Sequence, residues 1–196
     1  MARTAYDLSQ LPRPMLLASI GLLTKTIPLS TVKKALATHW KESQWERLLP
    51  APFLVYFVVS LSLYMPCALR EVLRIVMEGL RTLEGSEDES VSIATKGAIS
   101  HARSRLGWEV MATLFRKVAR PLATAKTRGA WYRGWRVMIL DGASLALQHT
   151  GENAEAFGLP QSKHGEGAFP LLRLVGLVEA GTRAVVAARL CRLDDP

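Results

Sequence analysis

At 196 residues, 49% hydrophobic and 21% charged, the chain has the composition of a folded protein with one compact domain or two small ones, not of a disordered segment. Cys67 and Cys191 lie far apart and form no metal-spacing motif, so they read as inert thiols of a reducing compartment. The net charge of +8 comes from one stretch: residues 91–136 hold ten Lys/Arg against a single acid, Glu109, while the residues on either side are nearly balanced.

Residues 1–29 contain Pro12, Pro14 and Pro28 around one short apolar segment and are predicted to be a loosely ordered arm around a short helix. Met15 to Leu23 is short and has no small-residue cleavage pattern after it, so it does not read as a signal peptide. Ser30-Thr31 can cap a helix to about Trp40, with Val32, Leu36 and His39/Trp40 on one face. After Pro50-Ala51-Pro52, residues 53–83 read as one long or bent helical segment, kinked or restarted at Pro66. Its first part, FLVYFVVSLSLYM, falls short of the about 20 apolar residues that span a bilayer, so a buried core helix is the better reading and a membrane-associated element the poorer one. In its second part Leu69, Leu73, Val76, Met77 and Leu80 repeat at helical spacing, with Arg70, Arg74, Glu78 and Arg81 facing out.

Ser92 or Thr95 can cap a helix over about 95–105, with Ala98, Ile99, Ala102 and Leu106 on its face; Gly107 breaks it, and Trp108 to Val118 forms a second helix ended near Pro121. Two helices joined by a glycine turn, inside the basic block, have the outline of a helix-turn-helix DNA reader. Clustered Lys/Arg suit a polyanion, because they release counterions from phosphate backbones; a solvated helical face is the blander alternative. The candidate DNA contacts are His101, Arg103, Arg105, Arg116, Lys117, Arg120, Lys126 and Arg128. No ligand-type side chain stands at metal spacing to His101, so it reads as a surface or phosphate-contact group. Trp131, Tyr132 and Trp135, interleaved with arginines, suit base stacking and a hydrophobic seam equally.

The apolar run Val137-Met138-Ile139-Leu140 reads as a buried strand ending on Asp141-Gly142. A carboxylate there is either a turn residue, as Asp-Gly commonly is, or a ligand or catalytic group. Residues 149–169 read as a polar, glycine-rich loop without a phosphate-cradling pattern. Leu171 to Val178 and Arg183 to Leu190 read as two further strands about a tight Glu179-Ala180-Gly181-Thr182 connection, giving a three-strand meander.

Three blocks carry a resemblance: LYMPCALREVLRIVMEGLRTL, then GAISHARSRLGWEVMATLFRKVARPLA, then MILDGASLALQHTGENAEAFG with AFPLLRLVGLVEAGTRAV. Over most of residues 30–190 the chain resembles the N-terminal half of bacterial insertion-sequence transposases of the DDE class, in the IS-four family. The resemblance implies an α+β chain: an arm (1–29), an all-helical DNA-binding domain (30–130), and the first three strands of an RNase H-like α/β catalytic core (131–196). It makes Asp141 the first acid of an Asp-Asp-Glu triad, catalytic and metal-binding, in a site where carboxylates hold two Mg²⁺ ions for strand cleavage and transfer. The family's second Asp, its Glu and its Tyr-Arg-Glu-Lys signature have no counterpart here, and Asp194 and Asp195 come too early for the second acid.

The expectation is therefore a truncated transposase that binds double-stranded DNA at terminal inverted repeats, binds Mg²⁺ weakly if at all, and has no strand-transfer activity by itself. The competing reading is a non-catalytic DNA-binding module, or an inhibitor, derived from a transposase. The implied setting is the bacterial cytoplasm, at the nucleoid and not in a membrane, with dimerisation with itself or a full-length relative allowed.

Overall fold

The computed structural model describes residues 13–43, 49–65, 67–84, 94–163, 165–193 and 195. The expected kink at Pro66 and cap at Ser92 lie outside them. The chain divides after Val118 into a helical unit and an α+β unit beginning at Ala119.

The helical unit contains α1 (Arg13–Thr26), α2 (Leu29–Thr38), α3 (Ala51–Leu63), α4 (Leu69–Glu84), α5 (Lys96–Leu106) and α6 (Trp108–Val118). Its core draws on every helix: Ile20 and Leu23, Val32 and Leu36, Leu54 to Phe57, Val72, Leu73 and Ile75 to Met77, Ile99 and Ala102, and Val110 and Leu114. The short helix expected within the arm spans residues 13–26, and its Ile20 is completely buried, so this helix is part of the core. The fit is tight at Gly79 of α4, where a Cβ would lie 2.7 Å from the Cβ of Ile20. Absence of a side chain is thus what allows α1 and α4 to approach.

The segment expected over 53–83, long or bent and kinked or restarted at Pro66, is two helices, α3 and α4. α3 is buried along Leu54, Val55, Tyr56, Phe57 and Ser60, as a core helix should be. The Tyr56 hydroxyl donates to the Ile27 carbonyl at 2.7 Å, and burial pushes its pKa up. On α4, Arg74 bridges Glu71 (2.5 Å) and Glu78 (2.6 Å) at one-turn spacing. The hydrogen bond from Arg74 outweighs burial and holds the Glu71 carboxyl below its ordinary range. α2 begins at Leu29, two residues ahead of a helix capped by Ser30, and has no side-chain cap. Pro28, extended at φ −61°, ψ 145°, occupies the cap position, so Ser30 and Thr31 fall inside the first turn.

The second unit has β1 (Trp131–Tyr132), β2 (Trp135–Arg136), β3 (Met138–Ala146), α7 (Gly151–Phe157), β4 (Gln161–Ser162), β5 (Gly165–Glu166), β6 (Leu171–Glu179) and β7 (Val185–Arg192). The three long strands form an antiparallel sheet in the order β3-β6-β7, as the meander expected. β1-β2 and β4-β5 are small antiparallel hairpins. The loop expected over 149–169 thus contains α7, capped by the Thr150 hydroxyl accepting from Asn153 N at 3.2 Å, and the β4-β5 hairpin. Thr150, a preferred cap residue, was the available signal.

Candidate nucleic-acid interface and the Asp141 strand

The eight candidate DNA contacts, His101, Arg103, Arg105, Arg116, Lys117, Arg120, Lys126 and Arg128, are all exposed. The first five lie in the helical unit and the last three in the segment that opens the second. On α5 the helix starts where expected: the Thr95 hydroxyl accepts from Ala98 N at 3.2 Å, and Gly107, at φ 77°, ends it. Ile99, Ala102 and Leu106 form the buried face.

With 100° between successive residues, Arg103 and Arg105 sit about 160° apart, on opposite flanks of α5. Lys96 shares the Arg103 flank, one heptad away. Between the flanks runs an exposed crest of Ser100, His101 and Ser104, all polar side chains. A helix about 10–12 Å across fits a major groove about 12 Å wide. A crest that can meet base edges, with a cation on either side for the two phosphate strands, matches that geometry.

The remaining positions are less alike. On α6 the Arg116 guanidinium is turned back onto its own helix, donating to the Ala112 carbonyl and the Thr113 hydroxyl at 3.2 Å each. Lys117 is in the same last turn and exposed. Arg136, counted in the basic block, is ion-paired with Glu179, a side chain with no solvent exposure.

Glu179 was read as part of a turn; the structure makes it the last residue of β6 and a buried anchor. Its Oε2 accepts from Leu122 N at 3.0 Å, Ala123 N at 2.7 Å and the Thr182 hydroxyl at 2.5 Å. Burial alone would raise its pKa, but the Thr182 hydroxyl, the two amides and Arg136 together hold the carboxyl below its usual range. Apart from Thr182, three residues on, the partners are 43 to 57 residues away in sequence, so no local pattern announced them.

The aromatic–basic stretch forms the β1-β2 hairpin, turned by Arg133 (φ 48°) and Gly134 (φ 84°). Two consecutive positive φ values make the two-residue connection that matches strand twist, with glycine at the second position. Tyr132 and Trp135 are exposed, Arg133 lies 5.5 Å over the Tyr132 ring, and Arg136 lies 4.6 Å over Trp131.

Asp141 does not end a strand. It is the fourth residue of β3, which continues through Ala146 because Gly142 to Ala146 find partners on β6, Val175 to Leu171. Paired backbone overrides the turn tendency of Asp-Gly. The residue opposite Asp141 is Gly176, so no cross-strand side chain crowds the carboxylate. It is exposed, and its Oδ1 accepts from Gly142 N at 2.8 Å. Among the described residues no three His, Cys, Asp or Glu side chains gather at metal distance. The described side chains therefore do not complete a Mg²⁺ site around Asp141.

Residues 17–116 match the family described as insertion element 4 transposase N-terminal. The chain belongs to that family. A curated relative, named "Putative transposase InsZ" in Escherichia coli (strain K12), is 22% identical over 171 residues, which is 87% of this chain and 54% of that protein. The chain thus spans about half the length of this relative. No solved structure matches it significantly. The family region contains α2 through α5 entire and most of α1 and α6, so the crest and flanks of α5 lie within it. In this chain no helix among the described residues is long and apolar enough to cross a membrane.

Proposed function

We propose that this transposase-family chain binds double-stranded DNA at transposon ends, with α5 entering the major groove. The observation that carries the reading is the outward surface of α5, with Ser100, His101 and Ser104 between Lys96/Arg103 on one flank and Arg105 on the other. Bidentate arginines and short polar groups are the usual readers and positioners of such a site. Membership of a transposase N-terminal family supports the same partner.

The second unit, in this reading, is the start of an RNase H-like core, and Asp141 is one carboxylate of a site for Mg²⁺. The open space opposite Asp141, at Gly176, supports a ligand role. With one carboxylate, ion affinity is weak, so strand transfer by this chain alone is not expected.

The test is binding of the purified chain to a labelled duplex carrying the element's terminal repeat, against a scrambled duplex, over a range of salt. Tighter binding to the terminal repeat, weakening steeply with salt, is the expected result. Equal affinity for both duplexes removes the end-recognition claim, and salt-insensitive binding or none removes the DNA-binding claim. Mg²⁺-dependent nicking abolished by Asp141→Ala would overturn the inactivity claim and establish the ligand.

A further inference from the structure

One exposed tryptophan is held where folding alone gives it no reason to be. α2 ends in a six-to-one turn: Lys41 N donates to the Leu36 carbonyl at 3.1 Å and Trp40 N to the Ala37 carbonyl at 3.2 Å. This arrangement puts the residue after the cap in the left-handed region, a position that glycine or asparagine normally fills. Here it is Trp40, at φ 55°. A bulky side chain there meets its own backbone, which glycine avoids. Trp40 gains nothing from burial in return, because 93% of its surface faces solvent. Strained backbone maintained without a packing reason points to use.

The surroundings indicate which use. A cavity of about 250 Å³ is lined by Trp40, Lys41, Glu42, Ser43 and Arg105, with Leu54 and Leu106 at its apolar side. The platform is fixed on both sides. His39, just before it, is hydrogen-bonded through Nε2 to the Thr113 hydroxyl of α6 at 2.8 Å. Ser43, just after it, accepts from Ala51 N at 2.8 Å and ties the turn to the start of α3. An open indole face with two cations beside it suits a ligand that is planar at one end and anionic at the other. A nucleotide has that form.

Inside a paired duplex both faces of each base are covered by their neighbours, so an interior base must be unpaired to stack. The geometry points to Trp40 as a stacking platform for an unpaired nucleobase, with Arg105 and Lys41 contacting the flanking phosphates and Glu42 excluding phosphate from its own side. Arg105 is also the cation on one flank of α5, so the platform lies where a strand leaving that flank would run. The inference rests on the DNA-binding reading above and extends it from paired DNA to an opened or gapped end.

The test uses the whole chain and two labelled probes at one salt concentration: a fully paired duplex, and the same duplex with a central single-stranded gap. The parent is expected to bind the gapped probe more tightly. Trp40→Gly should weaken gapped binding by about 5- to 150-fold, the range that loss of one base–aromatic stack produces. The two Kd values should then converge, while Tm holds or rises because glycine suits the turn. Trp40→Phe should keep most of the preference, and Trp40→Asn, which also tolerates the left-handed region, should lose it. A parent with no gap preference, or a Trp40→Gly chain that keeps it, sinks this proposal and leaves duplex binding standing. Loss of Tm in Trp40→Gly and Trp40→Asn together with both affinities would make Trp40 a structural residue and also overturn it. Failure of the parent on both probes would instead remove the DNA-binding reading itself.

Discussion

Replacing Arg103 and Arg105 with glutamine removes two exposed cations from opposite flanks of α5 and leaves its buried face, Ile99, Ala102 and Leu106, untouched. Seven of the candidate contacts are Arg or Lys, and Arg116 is engaged by its own helix, which leaves six. Each cation that neutralises a phosphate contributes about 0.9 to the slope of log affinity against log salt, so these six contribute about −5.4 when all of them meet phosphates. Over a rise from about 50 to 200 mM salt the parent then loses affinity by roughly 2,000-fold. With four cations left the slope becomes about −3.6 and the loss roughly 150-fold. The assay is fluorescence anisotropy of a labelled duplex titrated at several salt concentrations. A circular dichroism melt provides the control, since exposed substitutions of this kind change stability by no more than about 0.5 kcal/mol. A double variant whose slope equals the parent's would refute the reasoning, whatever its absolute affinity, because it would mean that neither arginine meets a phosphate. A drop in affinity with an unchanged slope and a lowered melting point would assign the loss to folding.

Three further outcomes follow from the packing. Gly79→Ala should destabilise the helical unit by about 1 kcal/mol in chemical denaturation: helix propensity favours alanine by about 1 kcal/mol, but crowding a packed contact costs about 1–3 kcal/mol, and here the new Cβ meets Ile20. A stabilised variant would show that α1 and α4 do not approach this closely. Glu179 has its pKa lowered in the fold, so its stabilisation is fully present above the ordinary Glu value of about 4.3 and is lost as pH falls through the depressed value. Hydrogen exchange at the Leu122 and Ala123 amides, corrected for intrinsic rates, should accelerate across that window in the parent. In Glu179→Gln it should already be fast at neutral pH; equal protection in both chains there would count against the anchor. Leu140→Ser and Leu190→Ser, at side chains 73% and 60% exposed, should reduce concentration-dependent light scattering without lowering stability, because exposed apolar sheet surface promotes association. Undiminished scattering would argue against an open sheet.

The amount legible in sequence follows the reach of the interactions. α5 and α6 were readable to within a residue because their signals are local: Thr95 as cap, Gly107 as break, and an apolar repeat at helical spacing. The three sheet strands were readable as apolar runs, but β3 was placed too short, since Asp141-Gly142 looks like a turn until β6 supplies Gly176 and Val175 as partners. Of the candidate contacts, type and exposure were legible, whereas the Arg116 contacts with its own turn and the loss of Arg136 to Glu179 were not. Trp40 was noticed only as the end of an apolar face, because a left-handed tryptophan has no signature in the order of residues.

By itself the sequence determined where helices and strands run, where the positive charge collects, and the family resemblance, all of which depend on neighbours along the chain or on composition. Tertiary structure alone decided that α1 is core rather than arm, that Gly79 must lack a side chain, that Glu179 is an anchor and that Trp40 stands free beside Arg105. Each of those depends on groups brought together from distant parts of the chain. In such places burial and hydrogen bonding, summed over several partners, outweigh the preference of any single residue.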